Sequence, residues 1–480
     1  MKRIVHLGLV GAVLATMVAA VLPVFEPQPV MAMSGNGTES DPFIITNVAE
    51  LQAMTTNATV HYRLGNDIDA SATVAWNGGE GFEPIGEYED EFIGTFDGDG
   101  YTITGLHINR PQTMDVGLFG RIKGATIRNV TMASVNITGE RHVGGIVARA
   151  NSDTGGSTGN WSTVSNVTVT GNIWVGRDNG GGIVGANWYG TIEDCQFSGD
   201  IYGIQVVYAD YTWCNSYFGG IAGYNRGVIE RCVFDGTVYA PAHPHWANAG
   251  QRIGGIVGHN YMPAAKVSQC YSLGTVYGAY RYIGGIVGMH DGGSDGGAQI
   301  NDCYSRAEVA GGTHVGGLIG ALARNVQVRR SYSTGQVSGT SSVGGLIGGA
   351  YMSGSFTITA CYWDTETSGQ ATSYRGTGKT TEEMKTLATF SAWDIAASEE
   401  VRNEGYPFLS WEIDESTTIW LLGLESAPEL IVRRPARLFV PIDHKVSLEL
   451  IRNVEISAGG RAFIDKEGNF HYDSRFGRHT

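Results

Sequence analysis

Charge is scarce in this chain: 16% of its 480 residues are Asp, Glu, Lys or Arg, and the net charge is −15. No basic stripe is visible, so nucleic acid is not an expected partner. No histidine is followed by glutamate, so the His-Glu-x-x-His zinc helix of metallopeptidases is missing. Cys-x-x-Cys is missing as well, and Gly354-Ser355 carries only a broken Gly-x-Ser-x-Gly, so no nucleophile elbow is supported there. His243-Pro244-His245 is the one close histidine pair, and no further ligands accompany it, so neither a metal nor another cofactor is expected. Asp97-Gly98-Asp99-Gly100 lacks the later acidic ligand of a calcium loop and reads as a turn. Helix-period apolar stretches are lacking from 90 to 370, which excludes a helical fold there.

What fills the chain is glycine, 70 residues and about twice the usual share. Much of it lies in one recurring motif. The copies are Gly144-Gly145-Ile146-Val147, Gly181-Gly182-Ile183-Val184-Gly185, Gly219-Gly220-Ile221-Ala222-Gly223 and Gly254-Gly255-Ile256-Val257-Gly258. They continue as Gly284-Gly285-Ile286-Val287-Gly288, Gly316-Gly317-Leu318-Ile319-Gly320 and Gly344-Gly345-Leu346-Ile347-Gly348, with a weaker Gly117-Leu118-Phe119-Gly120 ahead of them. The seven full copies start 28 to 38 residues apart. An irregular period of this size means stacked units with loops of variable length, each touching only its neighbours.

A second register supports the first. A β-branched residue stands three before each repeat cysteine: Ile192/Cys195, Ile229/Cys232, Val267/Cys270, Ile300/Cys303 and Ile358/Cys361. Val130, Val167 and Ser331 take the cysteine place in other copies. Interchange with Val marks a ladder of free thiols that pack as small apolar groups rather than disulfides. Cys214 lies outside it. The Ser331 hydroxyl needs a partner, so its coil is expected to be the weakest. Asn187, Asn225, Asn260 and His290 form a third register and are expected to stack as a hydrogen-bonded ladder. Short strands with turns between them, in one register, predict an all-β fold: a right-handed parallel β-helix, or β-solenoid, rising about 4.8 Å per coil.

Lys2-Arg3, the apolar run Leu7–Leu22 and the small-residue site ending at Ala32 read as a secretory signal peptide. No later apolar run approaches the roughly 18 residues of a membrane span. The expected organisation is a signal peptide at 1–32, an N-terminal cap at 33–90 with a helical turn near Val48–Met54, and the repeat β-helix at 91–370. A C-terminal cap follows at 371–424, its helix running from a Thr380/Glu383 capping box to about Thr389. Residues 425–480 form a separate β unit with a hairpin around Glu467-Gly468; they hold 9 Lys/Arg and 8 Asp/Glu, so the acidic excess lies before them.

The Gly-Gly copies resemble the GLUG motif. The resemblance extends to Phe92–Leu106 upstream and to Cys361–Asp364, Gly376–Lys385 and Trp393-Asp394 downstream, together roughly 35–415. It implies an exported bacterial surface protein, adhesin-like and secreted or held at the cell surface. Such repeats also stand beside the catalytic domain of an immunoglobulin-cleaving metallopeptidase. With no His-Glu-x-x-His, the expectation is that the chain is not an enzyme. The best functional signal is aromatic: Trp188, Tyr189, Tyr211, Trp213, Tyr217, Trp246, Tyr261, Tyr280 and Tyr282 fall in the longer repeats. Stacking gathers them on one side, where Trp and Tyr suit sugar rings and interface hot spots. The expected partner is a surface glycan or a host or neighbour-cell protein, with self-association through 425–480. The alternatives are a polysaccharide-degrading β-helix enzyme, with acids such as Glu193-Asp194 and Glu230 in one register, and a purely structural stalk.

Overall fold

A computed structural model describes residues 33–154, 158–204, 216–242, 249–398, 402–413, 420–423, 461–464 and 470–473. One coil shows the plan. Strand Val184–Asn187 leads through a turn to Gly190–Glu193, then Gln196–Gly203, then Ser216–Gly219. Each pairs in parallel with its equivalents in neighbouring coils: Ile192 with Val164 and Ile229, Phe197 with Phe234, Phe218 with Ile253, Val184 with Ala222. Eight strands from Phe119–Lys123 to Ile347–Ala350 make one sheet, and a sheet of 26 strands supplies the other walls. The fold is the expected parallel β-solenoid.

Its core is a set of columns. Ile127, Val164, Ile192, Ile229, Val267, Ile300 and Val328 are fully buried at one register, and the motif residues Ile146, Ile183, Ile221, Ile256, Ile286, Leu318 and Leu346 at another. Cys195, Cys232, Cys270, Cys303 and Cys361 are free and buried, as the interchange with Val predicts. Each thiol donates to the carbonyl two residues earlier, as Cys232 Sγ does to Glu230 O at 3.2 Å. Ser331 does the same to Arg329 O at 2.9 Å and accepts from Cys303 N at 3.1 Å. Its hydroxyl is therefore satisfied, which corrects the expectation that its coil is the weak one. Cys214 lies outside the described residues. The amide ladder forms: Asn187 Nδ2 donates to Asn225 Oδ1 at 2.8 Å, Asn225 Nδ2 to Asn260 Oδ1 at 2.7 Å, and Asn260 Nδ2 lies 3.1 Å from His290 Nδ1.

At two corners of the coil non-glycine residues take up left-handed backbone. Asp194, Arg231, Gln269, Asp302 and Arg330, just before the cysteine column, have φ between 42° and 55°. His142, Asn179, Tyr217, Arg252, Tyr282 and His314, two residues before the motif's first glycine, have φ between 50° and 63°. The motif glycines serve close approach instead. A Cβ on Gly220 would lie 2.2 Å from Gly255 O and 2.2 Å from the Phe234 ring.

At the N-terminal end, helix Val48–Ala53 is capped by Asn47, whose side chain accepts from Glu50 N, and strands Phe43–Ile45, Tyr62–Leu64 and Thr95–Asp97 extend the large sheet. The Asp97–Gly100 segment is a turn whose Asp97 carboxylate is occupied by Arg128 at 2.8 Å and Asn129 at 3.0 Å. At the other end the Thr380/Glu383 capping box is present, but the helix is the single turn Thr381–Met384, followed by a 3-10 turn at Leu387–Phe390. The segment then lies along the solenoid wall. Trp393, Tyr406, Trp411 and Trp420 pack on a tyrosine ladder, Tyr271, Tyr304, Tyr332 and Tyr362, whose first three rings stack at 4.9 and 5.2 Å. In a second unit Arg461–Ile464 pairs antiparallel with Phe470–Asp473, and the turn expected at Glu467-Gly468 lies outside the described residues. Among the described residues no helix is long and apolar enough to cross a membrane.

Candidate binding face

Two outward columns meet beside the eight-stranded sheet. The first is the left-handed corner that carries Tyr217, Arg252 and Tyr282 on successive coils. The second follows the motif's final glycine, where Arg149, Ala186, Tyr224, His259 and Met289 share one register. The backbone bend at the corner turns the first column's side chains toward the second. Tyr217 meets Tyr224 at 6.3 Å and stacks on His259 at 5.6 Å. Tyr224 links onward to Trp188 at 5.2 Å and to Tyr261 at 6.2 Å.

Arginines hold these rings. Trp188 lies between Arg149 at 5.6 Å and Arg226 at 5.2 Å, and Arg226 is also 5.1 Å from Tyr189. Arg252 is 5.0 Å from the Tyr217 ring and 5.7 Å from Tyr282, and Arg281 covers Tyr280 at 4.8 Å and Tyr282 at 4.9 Å. Burial pushes the Tyr217 and Tyr282 phenols up, and burial together with Arg252 pushes His259 well below the usual histidine range. Asp178, buried near Arg141 and Arg177, is raised to about 6. Further down, His142 Nδ1 lies 2.7 Å from Asp115, and burial holds that histidine at about 4.

The structure thus brings Trp188, Tyr189, Tyr217, Tyr261, Tyr280 and Tyr282 onto one connected face. Tyr211, Trp213 and Trp246 lie outside the described residues. Tyr282 is buried and the other five are half-buried, so they form a ring-and-guanidinium lattice rather than bare platforms. Tyr224, His259 and the arginines were not among the sequence candidates. Their signal was available: Tyr224 and His259 each follow the final motif glycine, and Arg252 stands two before its Gly-Gly.

A separate aromatic row was also missed. Trp174, Tyr202, Tyr239 and Tyr277 share a register on the large sheet, each seven residues after the cysteine column. Trp174–Tyr202 and Tyr239–Tyr277 stack at 4.7 and 4.9 Å, so each pair covers one face of each ring. The acids at the cysteine-side corner are paired: Arg231 reaches Asp194 at 2.6 Å and Glu193 at 3.3 Å, and Arg330 reaches Asp302 at 2.5 Å. Among the described residues no group of three His, Cys, Asp or Glu side chains is placed to hold a metal ion.

Comparison with known proteins adds two family matches. Residues 45–171 match the N-terminal region of the M26 IgA1-specific metallo-endopeptidase, and residues 176–202 match the GLUG motif. Halomucin of Haloquadratum walsbyi is 39% identical over 159 residues, 32% of this chain and 2% of that protein. The immunoglobulin A1 protease of Streptococcus sanguinis is 25% identical over 243 residues, 50% of this chain and 12% of that protein. The chain therefore spans only a small part of either curated relative. The solved structure of a candidate immunoglobulin A1 protease from Bacteroides ovatus is 19% identical with a TM-score of 0.36, covering 78% of this chain and 94% of that one. These matches overturn the expectation of a non-enzyme, because about a quarter of the chain is similar to a region of a metallo-endopeptidase. The motif match at 176–202 and the in-register stacking of the other copies on it agree: this is a GLUG-repeat β-solenoid.

Proposed function

We propose that the chain acts outside the cell as a repeat scaffold that binds a surface glycan through the aromatic face around Trp188, Tyr217 and Tyr261. The observation that carries this reading is the convergence of aromatic side chains from successive coils onto one side of the sheet. Rings of this kind supply large contact area at low conformational cost and take the apolar faces of sugars. Sequence similarity to halomucin and to an immunoglobulin A1 protease supports an extracellular setting. A second reading, a surface scaffold within peptidase-related chains, is favoured by the match at 45–171.

The test is a glycan-array and whole-cell binding assay with the purified chain. It is run beside Trp188→Ala and the Trp213→Ala/Trp246→Ala double variant. Binding that falls at least about tenfold in Trp188→Ala, with the melting temperature kept, supports the glycan reading. Wild-type binding to cells that survives enzymatic stripping of their glycans points to a protein partner. No binding to glycans or cells removes the reading.

A further inference from the structure

The aromatic face holds more hydrogen-bond donors than its own acids answer. Arg149 Nε, Arg226 Nε, Arg252 Nη1 and Trp188 Nε1 are buried without a hydrogen-bond partner, as are both ring nitrogens of His259. His259 itself is 8% exposed. Buried polar atoms are nearly always paired, so a cluster of unpaired polar atoms on one face, most of them donors, marks a place where a partner is missing. The neighbouring acids are already engaged. Asp291 binds Arg324 through both oxygens at 2.7 Å, and Asp115 is held by Arg121 and His142. Asp178 stands 3.7 and 3.8 Å from Arg141 and Arg177. Arg149, Arg226 and Arg252 are in none of the ion pairs among the described residues.

The way these guanidinium groups are held matters as much as their number. Each lies over aromatic rings, Arg226 on Trp188 and Tyr189 and Arg252 on Tyr217 and Tyr282. A guanidinium resting on a ring uses its flat face. Arg252 gives its Nε–H to Met289 Sδ at 3.2 Å and keeps Nη1 unpaired, and Arg226 keeps Nε unpaired; such in-plane N–H groups match oxyanion oxygens. The rings therefore pre-set the donors and lower the entropy lost when an anion arrives. This concentration of unpaired cations stands in a chain of net charge −15, so the face inverts the sign of the molecule locally.

We propose that the face takes an anionic saccharide, a sugar chain bearing carboxylate or sulfate groups. Arg226 and Arg252 bind the oxyanions, and the Tyr224 and Tyr261 rings meet the sugar. The proposal rests on the glycan-binding reading above and narrows it to acidic sugars. Arg226 and Arg252 lie on adjoining coils, so a polymer running along the solenoid axis meets them in turn.

The purified chain is titrated calorimetrically with polygalacturonate, chondroitin sulfate and neutral dextran at low and high salt, and its fold is followed by thermal melting. One or both acidic polymers are expected to bind at least about tenfold more tightly than dextran, with affinity falling as salt rises. The preferred acidic polymer identifies the oxyanion. Arg226→Gln and Arg252→Gln are each expected to weaken that binding about tenfold or more. Arg252→Lys, which keeps charge but loses the planar fork, is expected to recover only part, and Arg375→Gln, on a different loop, is expected to change nothing. Because Arg252→Gln also loses ring contacts, a measurement on the unaltered protein accompanies it. Bound acidic polymer should shield Arg226 and Arg252 from phenylglyoxal, read by peptide mass. Dextran binding as tightly as the acidic polymers, with no effect of either Gln variant, overturns the anionic proposal and leaves glycan binding standing. Absent binding to every saccharide overturns both. Binding without arginine shielding overturns the placement.

Discussion

At the scale of single residues, the buried Asn187–Asn225–Asn260–His290 ladder ties four coils together with side-chain hydrogen bonds. The Asn260 amide offers its N–H to His290 Nδ1, because its oxygen is already taken by Asn225. That leaves the His290 proton on Nε2, facing Gln327 O at 3.4 Å. Burial holds His290 at about 4, below its unfolded value of 6.5. The neutral ring therefore contributes its full stability above pH 6.5 and loses it as pH falls toward 4, by up to about 3 kcal/mol. His290→Asn restores the residue that the ladder carries in three other coils. It is expected to flatten the fall in urea midpoint between pH 6.5 and 4 relative to the parent protein. Glu412, which burial raises to about 7, contributes in the opposite sense: its stability is lost as pH rises from about 4.5 through 7. That contribution is common to both proteins and cancels in the comparison. Equal slopes would show that His290 does not control this window.

At the scale of elements, the Gly-Gly strand junction is bonded on both sides, Gly182 N to Gly220 O at 3.0 Å and Gly220 N to Gly255 O at 2.9 Å. It has nowhere to retreat. Gly220→Ala places a methyl against Phe234 and the Gly255 carbonyl and is expected to cost about 3 kcal/mol, seen as a lowered melting temperature. The C-terminal segment packs as a layer on the tyrosine ladder. Trp420 is 2% exposed, lies 4.6 Å from Trp393 and 6.1 Å from both Tyr304 and Tyr332, and donates to Asp302 at 3.1 Å. Trp420→Ala is expected to cost about 3–5 kcal/mol locally. Amides of Ile395–Ser398, Phe408 and Leu409 should then exchange faster while those of Val184–Asn187 keep their protection. Uniform loss of protection would mean that the layer and the coils unfold as one.

At the scale of the whole molecule, each coil touches its neighbours and repeats their register, so stability is close to a sum over coils. Deleting residues 254–283 joins Ile253 to Gly284, and Ile253 already pairs with Ile283, the residue it replaces. The shortened chain is expected to fold with one coil fewer. It should keep its β-sheet circular dichroism per residue and melt a few degrees lower. Collapse of the fold would show that the coil is needed for more than nearest-neighbour stacking. The same deletion removes His259, Tyr261, Tyr280 and Tyr282 but leaves Trp188 and Tyr217, so it also shortens the proposed binding face.

The repeat, its stacking, the cysteine and asparagine ladders and the capping box were all legible in the residues, because a solenoid writes its period directly into the chain. A column such as Ile192, Ile229 and Val267 must recur at one offset from its neighbours, and counting finds it. The short C-terminal helix, the wall packing of Trp393 and Trp420, and the satisfied Ser331 hydroxyl were not legible. They depend on which carbonyl or ring lies across a coil, not along it. The candidate face divides in the same way. The sequence alone determined that aromatic residues gather on one side of a stack. Only the tertiary structure decided that arginines lie on those rings, because the two columns, seven residues apart in the chain, meet only where a left-handed corner folds the chain back on itself.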